Sequence, residues 1–181
     1  MIRWLLWLLG GLVLGGIVHL ATVLLLPRTA TQDAYTRLAA TSPANSIVPI
    51  PAPTPDEALL PFMDPAFATA VCRYDLAYGP LQLRVPVSQA YTSVSFYART
   101  GVAYYAINDR AAGRRIIELD LMTTRQRADL PDDEEVTAAD RLIVESPTST
   151  GLILVRNFGP EPGLMAMARR ALASAQCRSQ S

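Results

Sequence analysis

Three different periods of hydrophobicity follow one another along this chain. From Trp4 to Leu26 there is almost no alternation, and the run is apolar apart from its glycines, Thr22 and His19. Its 23 residues, at 1.5 Å rise each, make a helix about 34 Å long, enough to cross a hydrocarbon core of roughly 30 Å. A cleaved secretory signal has a shorter apolar core and a small-residue cleavage site. Thr29–Ala30–Thr31, behind Pro27 and Arg28, is a poor version of such a site. Residues 1–27 are therefore expected to be an uncleaved anchor with the bilayer as partner. Arg3 favours a cytoplasmic N-terminus and an exported remainder, and Arg28 weakens that bias without reversing it. Trp4, Trp7, Gly11, Gly15 and His19 follow steps of three and four and share one stripe. Gly11 and Gly15 allow close approach of a second helix, and His19 extends the surface by a turn. The stripe reads either as a contact for helix-mediated self-association or as the ordinary composition of a single anchor.

Beyond the span the pattern changes. TQDAYTRLAATS (Thr31 to Ser42) predicts a short juxtamembrane helix. Six prolines from Pro43 to Pro61 then suppress any regular period. Residues 28–62 are expected to be that helix and a proline-rich linker, or an extended segment laid against the domain. Asp64 and Pro65 predict a helix opening of one or two turns before CRYDL extends.

From here to the C-terminus (residues 63–181) the period is two, then helical. Leu81, Leu83 and Val85 share one strand face. Val94 and Phe96 oppose Tyr91, Ser93, Ser95 and Tyr97. Ile117, Leu119 and Leu121 oppose Glu118 and Asp120. Adjacent Tyr104 and Tyr105 are expected on opposite sides of their strand. RLIVES and GLILVRNF flank PTSTG as a hairpin signal. Such short alternating runs predict a mainly β domain, an antiparallel sheet or sandwich. The acidic stretch from Asp129 to Asp140 reads as a solvated loop or a poor helix. EPGLMAMARRALASAQC repeats Leu164, Ala168, Ala171, Leu172 and Ala175, an amphipathic helix that runs to Cys177 and covers one side of the sheet.

Composition narrows the chemistry. Basic and acidic residues number sixteen each, every basic residue is arginine, and no basic run appears, which argues against nucleic-acid binding. The single histidine is His19, inside the span, so a serine–histidine nucleophile is excluded from the exported part. Two distant cysteines do not make a zinc site, no phosphate-cradling glycine loop follows a strand, and neither metal nor cofactor is expected. Tyrosines cluster in the strand region. Tyr91 and Tyr97, with Arg84 or Arg99, are candidates for lining a shallow polar pocket, although tyrosines also serve simply as strand residues. Cys72 and Cys177 are the only cysteines. In an exported domain they form either one bridge or two unpaired thiols.

CRYDLAYGPLQLRVP followed by YTSVSFYARTGVAYYAINDR resembles the bacterial domain of unknown function 1254 family. The resemblance rests on Asp75 and Leu76, Gly79 and Pro80, Pro86, Tyr91 to Tyr97, and Asn108 to Arg110, with LIVESPTSTGLILVRNF behind. It covers about Met63 to Phe158. It implies a β fold and an envelope location, and no reaction or catalytic residue. Longer members carry a second domain of the 1214 type. This chain looks like a short, membrane-anchored branch, whose partner would be a separate membrane-anchored 1214-type protein. The reading is a single-pass inner-membrane protein with a periplasmic domain that binds or builds in the envelope. The alternative is a small-ligand or enzymatic domain using tyrosine, arginine and carboxylate groups.

Overall fold

A computed structural model describes residues 2–29, 33–54, 56–60, 62–112, 115–130 and 142–180. The chain divides into two compact units, Met1–Asp33 and Ala34–Ser181. The first holds helix α1 (Ile2–Thr29), of which Ile2–Leu26 is long and apolar enough to cross a membrane.

The second unit holds α2 (Ala34–Ala39), β1 (Ile47–Ile50), β2 (Phe67–Asp75), β3 (Leu81–Pro86), β4 (Thr92–Ala98), β5 (Ala103–Asn108), α3 (Asp109–Ala112), β6 (Ile116–Thr123), α4 (Thr124–Ala128), β7 (Leu142–Ser146), β8 (Thr150–Phe158), α5 (Pro162–Ala173) and β9 (Gln176–Ser179). One sheet has the antiparallel order β1-β2-β8-β4-β5; the other has the order β7-β6-β3-β9, with β6 and β7 parallel. The facing sides share one core. Cys72, Tyr74, Phe96 and Ile153 from the first sheet meet Leu83, Val85, Leu119 and Leu121 from the second. The period-two strands do what their pattern requires: Leu81, Leu83 and Val85 are buried while Arg84 between them is exposed.

The helix α5 closes this core with Ala168 and Leu172 and packs against β2, β8 and β3. It ends at Ala173, earlier than its apolar repeat suggested, because Ser174 caps it and the chain extends again to pair with β3. Cys177 therefore lies on β9, opposite Leu83, and not in the helix. It is bonded to Cys72 on β2, with 6.5 Å between the Cα atoms, so the bridge joins the two sheets through their core.

Three other expectations are corrected. Asp64 and Pro65 open no helix. The Asp64 carboxylate accepts from the Ala66 N–H and its carbonyl from the Phe67 N–H, a turn that launches β2. Every residue of β2 then pairs with β8, and this ladder outweighs the local helix signal. PTSTG is not a hairpin: β7 belongs to the second sheet and β8 to the first, so Ser146 to Thr150 is a corner between sheets. Tyr104 and Tyr105 do not face opposite sides. The register slips between Phe96 and Tyr97, leaving Tyr104 as a bulge. Both rings then flank Phe96, at 6.2 and 5.7 Å between centroids.

The proline-rich stretch is laid on the domain. Its β1 is an edge strand, where Pro49 lacks an N–H that a central position would need. Leu38 of α2 packs with Ile50 and Val71 on the outer side of the five-stranded sheet, joined by Leu59, Leu60, Met63 and Leu152. Most of the acidic stretch, residues 131–141, lies outside the described residues.

Candidate functional site

The register fixes which side chains share the outer face of the five-stranded sheet. Val48, Val71, Leu154 and Ser95 form one row, and Arg73, Leu152 and Tyr97 another. The helix α2 and residues 51–54 and 56–60, a proline-rich strap, lie over part of this face. Between them is a groove of about 480 Å³, lined by Leu38, Ser42, Val48, Ile50, Leu59 and Val71 among others. A second hollow of about 360 Å³ lies across the shared wall of Pro49 to Ala52, reaching Phe67, Arg169 and Leu172. Both are within the usual range of ligand pockets, roughly 300–1,000 Å³.

Where α2 meets the sheet, outside the groove lining, stands a ring between two cations. The guanidinium carbons of Arg73 and Arg99 lie 4.5 and 4.4 Å from the centre of the Tyr35 ring. Each contact is a cation–π interaction that also orients α2 on the sheet. Arg73 donates to the Ser42 carbonyl at 3.2 Å, while its Nε and the Ser42 hydroxyl are buried without a partner.

A second polar cluster is structural. The buried Tyr74 hydroxyl shares a hydrogen bond with Ser146 Oγ at 2.9 Å, donates to the Tyr97 carbonyl, and accepts from Tyr104 at 3.3 Å. Burial pushes the Tyr104 phenol well above its ordinary value, so it acts as a neutral donor and not as a base. Gly151 is required here, because a Cβ would stand 2.3 Å from both the Tyr74 hydroxyl and the Tyr97 carbonyl.

The residues proposed from sequence for a polar pocket are separated. Arg84 is exposed on the other sheet, opposite Glu118 and Gln176. Tyr91 precedes β4 and Tyr97 is near its far end, six residues or about 20 Å along the strand. Arg99, in the β4–β5 turn, is the member of that set that reaches Tyr35. Gly11, Gly15 and His19 lie on α1, where a Cβ on either glycine would meet nothing within 4 Å. No group of metal-ligating side chains occurs among the described residues. Sequence reasoning missed Tyr35, Leu38, Ser42 and Arg73. The available signal was the three-residue step from Tyr35 to Leu38, which puts both on one helix face.

A family model described as a protein of unknown function, DUF1254, matches residues 44–178. The match begins before β1 and ends within β9, so it takes in both edges that the sequence resemblance left out. The crystal structure of the VPA0106 protein from Vibrio parahaemolyticus is similar in fold over 82% of the chain, with a TM-score of 0.61 and 14% identity. An uncharacterized protein from Burkholderia cenocepacia matches over 82% of the chain at 13% identity and a TM-score of 0.49. The chain spans 34% and 43% of the lengths of these two proteins. No curated relative matches it.

Proposed function

This chain belongs to the DUF1254 family of proteins of unknown function, and from that premise we propose that it is a membrane-anchored binding module of the bacterial envelope. The span Ile2–Leu26 holds it in the inner membrane, N-terminus in the cytoplasm and β domain in the periplasm. Arg3, just before the apolar run from Trp4 to Leu26, supports this orientation, and the Cys72–Cys177 bridge suits an oxidising compartment. A reporter active only outside the cytoplasm, fused after Ser181, is expected to be active; activity only of a cytoplasmic reporter reverses the reading.

The binding role rests on the groove under the strap, an apolar concavity on a face that the core does not use. Its test is a photo-crosslinking residue at position Glu57, at the groove, against one at Arg84 on the other sheet, in intact membranes with mass spectrometry. Adducts are expected at the first position and not at the second. Equal yields, or none at Glu57, reject the groove.

The protein partner we propose is a separate membrane-anchored 1214-type protein. The reading rests on the resemblance alone, which implies longer members with both domains on one chain. Crosslinking followed by purification from cells that express both should recover the pair, and its absence removes the partner. Helix pairing through Gly11, Gly15 and His19 is the second contact proposed; Gly11→Ile and Gly15→Ile should weaken self-association in membranes.

A further inference from the structure

The groove's chemistry narrows its occupant, provided that the groove is a binding site at all. We propose that it takes a long acyl chain carrying an anionic head group, drawn from the bilayer in which α1 sits.

The first argument is which polar groups of the lining remain available. Thr54 and Glu57 satisfy one another: the Thr54 N–H and hydroxyl both donate to the Glu57 carbonyl, and the Glu57 N–H donates back to Thr54 Oγ1. The Thr41 N–H and hydroxyl both turn to the Leu38 carbonyl. Pro49 and Pro51 bring no N–H to the wall. An extended peptide has a donor and an acceptor at nearly every residue, and this lining answers few of them. An acyl chain has none to satisfy, and Leu38, Val48, Ile50, Leu59 and Val71 suit it.

The second argument is the Ser42 end. Ser42 lines the groove, is fully buried, and its hydroxyl has no partner. Buried polar atoms are rarely left so, because the lost hydration is not replaced. Arg73 is not itself in the lining but stands behind Ser42, hydrogen-bonded to its carbonyl, with Nε also buried and unpartnered. A hydroxyl and a guanidinium N–H together call for an acceptor that carries negative charge. Among the described lining residues the one carboxylate, Glu57, is exposed on the strap. The chain that links the apolar helix to the groove is short: Leu38 follows Leu26 by twelve residues, at most about 40 Å of backbone.

The test uses the full chain in vesicles and two photoreactive probes, a diazirine analogue of palmitic acid and the corresponding neutral alcohol. Peptide mapping should place fatty-acid label on the peptides holding Leu38 and Leu59, besides label on α1. Val48→Trp, which fills the groove from its edge, should lower groove labelling at least about fivefold with α1 labelling unchanged. Arg73→Gln should lower fatty-acid labelling and leave alcohol labelling as it was. Melting with the disulfide intact confirms that each variant folds, and Ser42→Ala serves as a second, milder change at the same end, expected to act like Arg73→Gln. Label confined to α1, or groove label indifferent to Val48→Trp, overturns the proposal. Equal response of acid and alcohol to Arg73→Gln overturns the anionic head. If position Glu57 crosslinks a protein while no probe enters, the binding module stands and the lipid inference falls; if neither occurs, both fall.

Discussion

The two faces of the five-stranded sheet are built by different means. The inner face carries Cys72, Tyr74, Phe96, Ile153 and Val155 against a second sheet, with neighbours on every side. The outer face carries Val71 and Leu152, and its cover is one short helix and a proline-rich strap. A strand can supply a face with side chains at every second position, but a strap without a regular period covers a face only in patches. The inner face is therefore sealed and the outer one keeps a groove. Packing without gaps needs two periodic partners, and this molecule uses them on one side only.

The largest expected effect breaks the sealed side. Gly151→Val puts side-chain atoms where the Tyr74 hydroxyl and a backbone carbonyl already are, so little or no folded domain is expected, judged by urea unfolding and by loss of accumulated full-length protein. Next comes the covalent link. The double change Cys72→Ala and Cys177→Ala opens a loop with a sequence separation of 105 residues, and about 4 kcal/mol of stability should go with it. A smaller loss would mean that the strand pairing of β9 alone nearly suffices.

The sharpest test of the two faces keeps the chemistry constant. Leu83→Ala, in the core, should cost about 4 kcal/mol, whereas Leu38→Ala, beside the groove, should cost about 2 kcal/mol because fewer contacts surround it. Equal losses in denaturant unfolding would show the outer cover to be packed as tightly as the core. The smallest effect is a pH dependence. Tyr104 holds its proton in the folded domain above the pH at which the unfolded chain releases it. Its contribution is therefore complete below about pH 10 and declines as the pH rises beyond that value. Tyr104→Phe should flatten this decline while leaving the stability near neutral pH lower by about 1 kcal/mol.

The same contrast explains what could be read in advance. The strands around Leu83, Phe96, Leu119 and Val155 were legible because one buried face imposes a period of two. The helix α5 was legible for the equivalent reason. The corner at Ser146 to Thr150 was not, since a turn signal marks a change of direction and says nothing of which strand comes next to which. The bulge at Tyr104 was invisible because its cause, the need to place two rings around Phe96, is a tertiary one. The groove was the least legible. Pro49 to Leu60 read as a linker or as an extended segment laid against the domain, with nothing to say which face it covers, and Arg73, Ser42 and Tyr35 are far apart in sequence. Arg99 was picked out for a pocket with Arg84, Tyr91 and Tyr97, but it meets Tyr35 instead.

The bridge between β2 and β9 has one more effect. Cys72 and Cys177 close the chain into a covalent ring that contains every residue from 73 to 176. The anchor lies on a tail outside that ring. A protease that cuts the ring once, at any peptide bond, opens it without releasing a fragment, and both new ends stay attached to α1. A single nick would thus go unseen on a non-reducing gel and appear only after reduction, and the bridged domain survives that first cut as one molecule.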